Sequence, residues 1–294
     1  MRGRDSLGCN CPETNIALGT DARPRARALP TPDRPNCVVV SSAGREVSLA
    51  DSVVRRFGGR YSSEMGIDLD AGDTEVERWF LASTLFGTRI SAPIAERTFR
   101  ELTRAGIHRI TDVGERSWDS LVALLDAGGY ARYDFRTATR LQTLSQVVAD
   151  RHAGDIAGIG RRLTDPAALV ALLDDLPGWG PVTVGLFLRE LRGVWPGARQ
   201  PLDPRAAEAA RHLGLLTGRE RDEFARVLQI AHQSGRDVRD VEAALVRLSL
   251  AHRRTTECPG GRRCALLMEG PSGGSKATIP RFCRASRNIT SPMM

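Results

Sequence analysis

The amino-acid sequence predicts an all-α protein, and three observations carry that expectation. Apolar residues recur at helical spacing: Trp118, Leu121, Val122 and Leu125 fall at i, i+3, i+4 and i+7. No alternating apolar–polar stretch of the kind a half-buried strand needs appears between residues 46 and 255. Short links bearing Gly, Pro or Asp separate the periodic segments, and these residues stop or cap helices.

The elements follow in order. Helices are predicted near 75–86 and 93–105, then from Trp118 with Ser117 as N-cap, and again near 136–150. Leu169, Leu172, Leu173 and Leu176 make the next apolar stripe, and Val184, Phe187, Leu188 and Leu191 another. Ala206, Ala209, Ala210 and Leu213 follow; a helix near 220–233 and the stripe Val241, Ala244, Leu245, Leu248 complete the set.

The chain has 294 residues and 41% hydrophobic content, enough for one large domain or two lobes sharing a core. No apolar run approaches the ~18 residues of a membrane span, and the first residues lack the apolar stretch of a secretory signal. A soluble intracellular protein without a membrane partner is the expectation. The net charge of +7 is uneven: residues 1–45 carry +3, residues 253–294 carry +6, and the body between them carries −2. Any nucleic-acid face of the body must therefore be a local patch. Residues 1–45 read as a disordered basic extension, 46–255 as the folded domain, and 256–294 as a disordered basic tail. Lys276 is the only lysine among 42 basic residues. Cys9, Cys11, Cys37, Cys258, Cys264 and Cys283 lie outside the helical body, which argues against a disulfide scaffold.

The segment Leu176-Pro177-Gly178-Trp179-Gly180-Pro181 is the most informative in the chain. Pro177 and Gly178 suit the two central positions of a type II turn. Gly180 permits close backbone approach, and Pro181 suits the first position of the next helix. Two amphipathic helices thus join through a glycine-rich hairpin whose free amides can hold a phosphate. The alternative is a tight turn that binds nothing. Trp179 can stack on a base or pack beneath the hairpin. Asp203, before Pro204, reads either as a helix N-cap or as a functional carboxylate.

Over residues 47–255 the sequence resembles the helix-hairpin-helix DNA glycosylase superfamily of the endonuclease III type. The family's hairpin, Leu-Pro-Gly-apolar-Gly-x-Lys-Thr-Ala, is matched by "LPGWGPVTV". A second element, "PLDPRAAEAARHLGLL", places the family's catalytic aspartate on Asp203. "GGYARYDFRTATRL" from Gly128 and "FLASTLFGTRIS" from Phe80 match two weaker elements. The resemblance implies two helical lobes, a cleft that takes a flipped-out base, and double-stranded DNA as partner. It implies DNA contacts from Leu176, Gly178, Trp179, Gly180, Val182 and Thr183, and from the loop residues Arg89, Tyr130 and Arg132. It further implies a monomer working in the cytoplasm, at the nucleoid.

Two departures from the family shape the expectation. The Schiff-base lysine of bifunctional members is replaced by Val182. Many members carry an iron–sulfur cluster on four C-terminal cysteines; here five residues separate Cys258 from Cys264, and the next cysteine is Cys283. No cluster and no other cofactor is expected, the two cysteines reading as remnants with zinc a minor alternative. The expected activity is a monofunctional DNA glycosylase. The alternatives are a DNA-binding protein without catalysis and a helical scaffold without a nucleic-acid role.

Overall fold

A computed structural model describes residues 42–86, 90–130, 133–252 and 257–268, and its regular structure is helical, with no strand among the described residues. The helices are α1 (Ser42–Phe57), α2 (Tyr61–Glu64), α3 (Asp73–Phe86), α4 (Ala92–Arg104), α5 (Trp118–Gly128), α6 (Asp134–His152) and α7 (Ile156–Arg162). They continue as α8 (Pro166–Asp174), α9 (Pro181–Glu190), α10 (Pro204–His212), α11 (Glu223–Gln233), α12 (Val238–His252) and α13 (Ala265–Met268). Arg89, Arg132, Lys276, Cys9, Cys11, Cys37 and Cys283 lie outside the described residues, as do most of the two predicted terminal extensions.

Local chemistry sets the helix starts. Ser117 caps α5 by accepting the Ser120 amide at 3.2 Å, as its position in the sequence predicts. Asp155, Asp165 and Asp222 do the same for α7, α8 and α11 at 2.7–2.9 Å. Pro166, Pro181 and Pro204 occupy first positions, where a missing N–H costs no helical bond. Each such cap is worth ~1 kcal/mol.

The apolar stripes converge on two buried clusters. The first gathers α3 to α9 around Trp79, Phe80, Phe99, Phe187 and Trp195. The second gathers α1, α10, α11 and α12 around Val53, Ala210, Val227, Ile230 and Leu245. The chain therefore begins in the second cluster, builds the first, and returns. Alanines at 206, 207, 209 and 210 are buried on α10 and let it lie close against α12.

Helix α7, not predicted from the sequence, is only seven residues long and contains Gly158 and Gly160, too short and glycine-rich to show a clear apolar period. Trp195 accounts for Gly160: its indole occupies the space a Cβ there would need. Glu77 holds α7 from α3 by accepting the Ala157 amide at 3.0 Å, and its burial pushes the carboxyl pKa up. Residues 257–268, read from sequence as the start of the tail, instead pack on the second cluster, with Cys264 fully buried. Four side chains there, Cys258, Cys264, Leu266 and Leu267, join the packing, with no spacing that a periodicity argument could use.

Buried polar groups tie distant segments together, and one pair joins the two clusters. Glu190, at the end of α9, accepts the amides of Tyr61 and Ser62, both at 2.8 Å. Arg192, just beyond α9, meets Glu242 of α12 at 2.8 and 3.1 Å, and both side chains are almost wholly buried. The same guanidinium donates to the carbonyls of Gln200 and Pro201, at 2.7 and 2.9 Å. Removing one partner leaves a buried, uncompensated charge. Glu242→Ala should lower unfolding free energy by about 3–5 kcal/mol in urea denaturation. Glu223→Ala, which breaks the exposed pair with Arg211, should cost less than ~1 kcal/mol. Equal losses for the two variants would contradict this view of the pair.

Candidate nucleic-acid interface and groove

The hairpin between α8 and α9 has the predicted turn. The Trp179 amide donates to the Leu176 carbonyl at 3.0 Å, closing a four-residue turn with Pro177 and Gly178 in its centre. Gly178 has φ of 80°, which an L side chain adopts only at a cost. A Cβ there would also collide with the aliphatic stem of Arg140 on α6. Gly180 differs: its φ of −166° is extended backbone, and a Cβ there would meet nothing within 4 Å. The backbone requires glycine at 178 and not at 180. What Gly180 provides is an uncovered outer surface.

That surface carries unused donors. The amides of Gly178, Gly180, Val182 and Thr183 have no protein acceptor among the described residues. Two of them open α9, where the helix dipole favours an anion. Arg140 runs beneath the turn with Nε and Nη2 buried and unpartnered. Burial pushes its pKa down; Tyr130 opposes that shift and Arg136 adds to it, and no carboxylate figures among these influences. Free amides and an uncompensated guanidinium together suit a phosphate.

The hairpin's side chains mostly face inward. Trp179 is 7% exposed, stacks on Phe80 at 4.5 Å, and donates its indole N–H to Thr84 at 3.1 Å. Of its two predicted roles, packing is the one this geometry serves. Leu176 and Thr183 are also buried, so only their backbones can reach a duplex, whereas Val182 is 65% exposed. Tyr130 is another interior residue: its side chain is 1% exposed and its hydroxyl donates to the Leu85 carbonyl at 2.6 Å. Placing Tyr130 at a DNA surface from the sequence therefore needs correcting for its ring, which anchors α5 to α3. Arg89 and Arg132 lie outside the described residues.

Beside the hairpin, a groove of about 750 Å³ is lined by Val182, Leu186 and Arg189 of α9, by Asp203 and Arg205, and by Tyr61 and Phe86. Val182, Leu186 and Arg189 share one helical face at i, i+4 and i+7. Asp203 caps α10, one carboxylate oxygen accepting the Arg205 amide at 2.8 Å and the other lying 3.4 Å from Arg189 Nη1. Its own amide donates to Glu242 at 3.0 Å. The N-cap and pocket readings of Asp203 thus coexist in one geometry. Arg189, 5% exposed, is the cation at this carboxylate. Sequence reasoning passed it over, although it lies on the same helix face as Val182 and could have been found there.

The chain matches no protein-family model, no curated protein and no solved structure.

The two glycines should separate experimentally. Gly178→Ala forces a side chain into positive φ and into Arg140, so thermal denaturation should register a loss of about 1–3 kcal/mol. Gly180→Ala should stay within ~0.5 kcal/mol of the parent. A stability loss at 180 matching that at 178 would refute the distinction.

Proposed function

We propose that the chain binds double-stranded DNA through its 177–183 hairpin and hydrolyses the N-glycosidic bond of a base turned out into the adjacent groove. One observation carries this reading: the start of the hairpin helix, with its unpartnered amides, and the Asp203 carboxylate border the same groove. A phosphate on the amides would fix the register of the duplex without reading sequence. The target nucleotide would swing into the groove, where Asp203 faces the sugar.

In this mechanism Asp203 stabilises the positive charge that develops on the sugar as the bond to the base breaks, and orients the water that attacks C1′. The base leaves with the bonding electron pair and takes up a proton; the sugar retains the water's hydroxyl. A lyase step would need a nucleophilic amine in the groove. Val182 stands where the family places one, and Arg189, the cation beside Asp203, stays protonated and is a poor nucleophile. The product is an intact strand with an abasic site. The same reading implies a monomer acting in the cytoplasm, at the nucleoid.

A second reading, a DNA-binding protein without catalysis, draws on the same carboxylate. Both oxygens of Asp203 already have partners in Arg205 and Arg189, so the group serves structure as well as chemistry.

Incubation with duplexes bearing uracil, alkylated, oxidised or mismatched bases decides between them. Glycosylase action predicts base release and strand cleavage only after alkali. Asp203→Asn should lower release by about 10²–10⁴-fold while leaving duplex affinity nearly unchanged. Covalent trapping on DNA by borohydride would refute the monofunctional assignment. Duplex binding without release from any lesion selects the second reading, and failure to bind any duplex overturns both.

A further inference from the structure

Four side chains that take no part in the groove converge at the far ends of α10 and α12. His212 ends α10, His252 ends α12, and Cys258 and Cys264 flank the turn that follows. One donor atom from each comes within 4.8 Å of all the others. His252 Nε2 lies 3.2 Å from the Cys264 sulfur. The two imidazole rings meet edge to face, with centroids 4.4 Å apart. Nε2 of His212 is buried and has no hydrogen-bond partner, which is costly for a polar atom unless something occupies its lone pair or takes its proton.

The backbone is shaped around this cluster. Packing of α10 against α12 sets their last residues side by side. The chain then reverses through Cys258-Pro259-Gly260-Gly261, where both glycines have positive φ, 71° and 53°. A Cβ on Gly260 would strike the His212 carbonyl oxygen, so glycine is required for the turn to come this near. The Ala265 amide donates to the Cys258 sulfur at 3.2 Å, an orientation of the kind that aims a thiolate at a metal.

We propose that His212, His252, Cys258 and Cys264 form a four-coordinate structural zinc site that clamps residues 257–268 onto α10 and α12. Two imidazoles and two thiolates are a zinc donor set, with bonds of about 2.0–2.1 Å to nitrogen and about 2.3 Å to sulfur. Tetrahedral bonds of those lengths place donors about 3.3–3.8 Å apart, a contraction that small side-chain rotations supply. A four-iron cluster needs four thiolates, and a two-iron centre of this composition puts both histidines on one iron and both cysteines on the other. Here a histidine and a cysteine form a close pair, and all four donors fit around one ion. Four protein ligands leave no open position for a substrate, so the ion holds structure and performs no hydrolysis. On binding, each thiol releases its proton to solvent, and the two thiolates neutralise the dication, which keeps a half-buried site free of net charge. The clamp would add a metal-held tie to the packing of Cys258, Cys264, Leu266 and Leu267 on the second cluster.

The proposal is independent of the DNA reading and is tested without any activity assay. The full chain is stripped with chelator under reducing conditions and titrated with Co²⁺. One equivalent should bind, giving the intense visible bands of tetrahedral cobalt and a thiolate-to-cobalt charge-transfer band, and one equivalent of Zn²⁺ should abolish both. Metal analysis of the unstripped protein should find about one zinc per chain. Cys258→Ser and His212→Gln, each checked for retained helicity by circular dichroism, should lose affinity by more than the roughly 10–100-fold lost when a group that only orients a ligand is removed. Serine at Cys9, Cys11, Cys37 and Cys283 together should leave the spectrum intact. The assignment is overturned by any of four results: no stoichiometric cobalt binding, iron with sulfide in place of zinc, a Cys258–Cys264 disulfide, or full affinity in the folded Cys258→Ser chain.

Discussion

The buried ion pair between Arg192 and Glu242 is the constraint on which the groove depends. It connects the turn after α9, which belongs to the first apolar cluster, to α12, which belongs to the second. Its spare hydrogen-bonding capacity is spent on the 200–203 loop: the guanidinium holds two carbonyls, and the carboxylate holds the Asp203 amide. Arg192 also lies 4.0 Å from the ring centroid of Phe224, so its planar face is covered as well. Burying two charges is expensive, and apolar residues of equal volume could fill the space at less cost. What such residues would not supply is direction: the polar fork, together with the Arg189–Asp203 pair, fixes the loop that carries Asp203 relative to the helix that carries Val182 and Arg189.

The electrostatics of the interface are local. The body of the chain is weakly acidic, so a phosphate there has little long-range attraction to draw on. The hairpin answers with oriented amides and a helix start, which act at contact distance and add no net charge. Arg140 adds a cation that has no ion-pair partner among the described residues. At the groove itself Arg189 pairs with Asp203, beside Arg205. Under the proposed function, phosphate binding and base release draw on different arginines, Arg140 and Arg189, in a segment from 46 to 255 that has no lysine.

The sequence foretold most helices because most carry apolar residues at helical spacing, and period alone identifies a stripe such as Leu169, Leu172 and Leu173; α3 and α12 are buried on nearly every face. The hairpin was legible for a related reason: Pro177 and Gly178 have few alternatives to a type II turn. Features that depend on distant partners were hidden. The need for glycine at 160 shows only once Trp195 is placed on it. Tyr130 sits in a loop motif that suggests a surface, and only the Leu85 carbonyl reveals it as an anchor. The cluster of His212, His252, Cys258 and Cys264 escaped a reading by cysteine spacing, since half of its donors are histidines and one lies on α10, 46 residues before Cys258. Tertiary packing of two helices brings them together, and no local pattern records that.

Amide hydrogen exchange of the full chain, with and without a duplex carrying a stable abasic-site analogue, tests the central claim most directly. The account predicts slowed exchange at Gly178, Gly180, Val182 and Thr183, whose amides lack protein acceptors, and around Asp203 and Arg205 across the groove. A tightly bound duplex that leaves these amides exchanging at their free rates, with protection elsewhere on the surface, would contradict it.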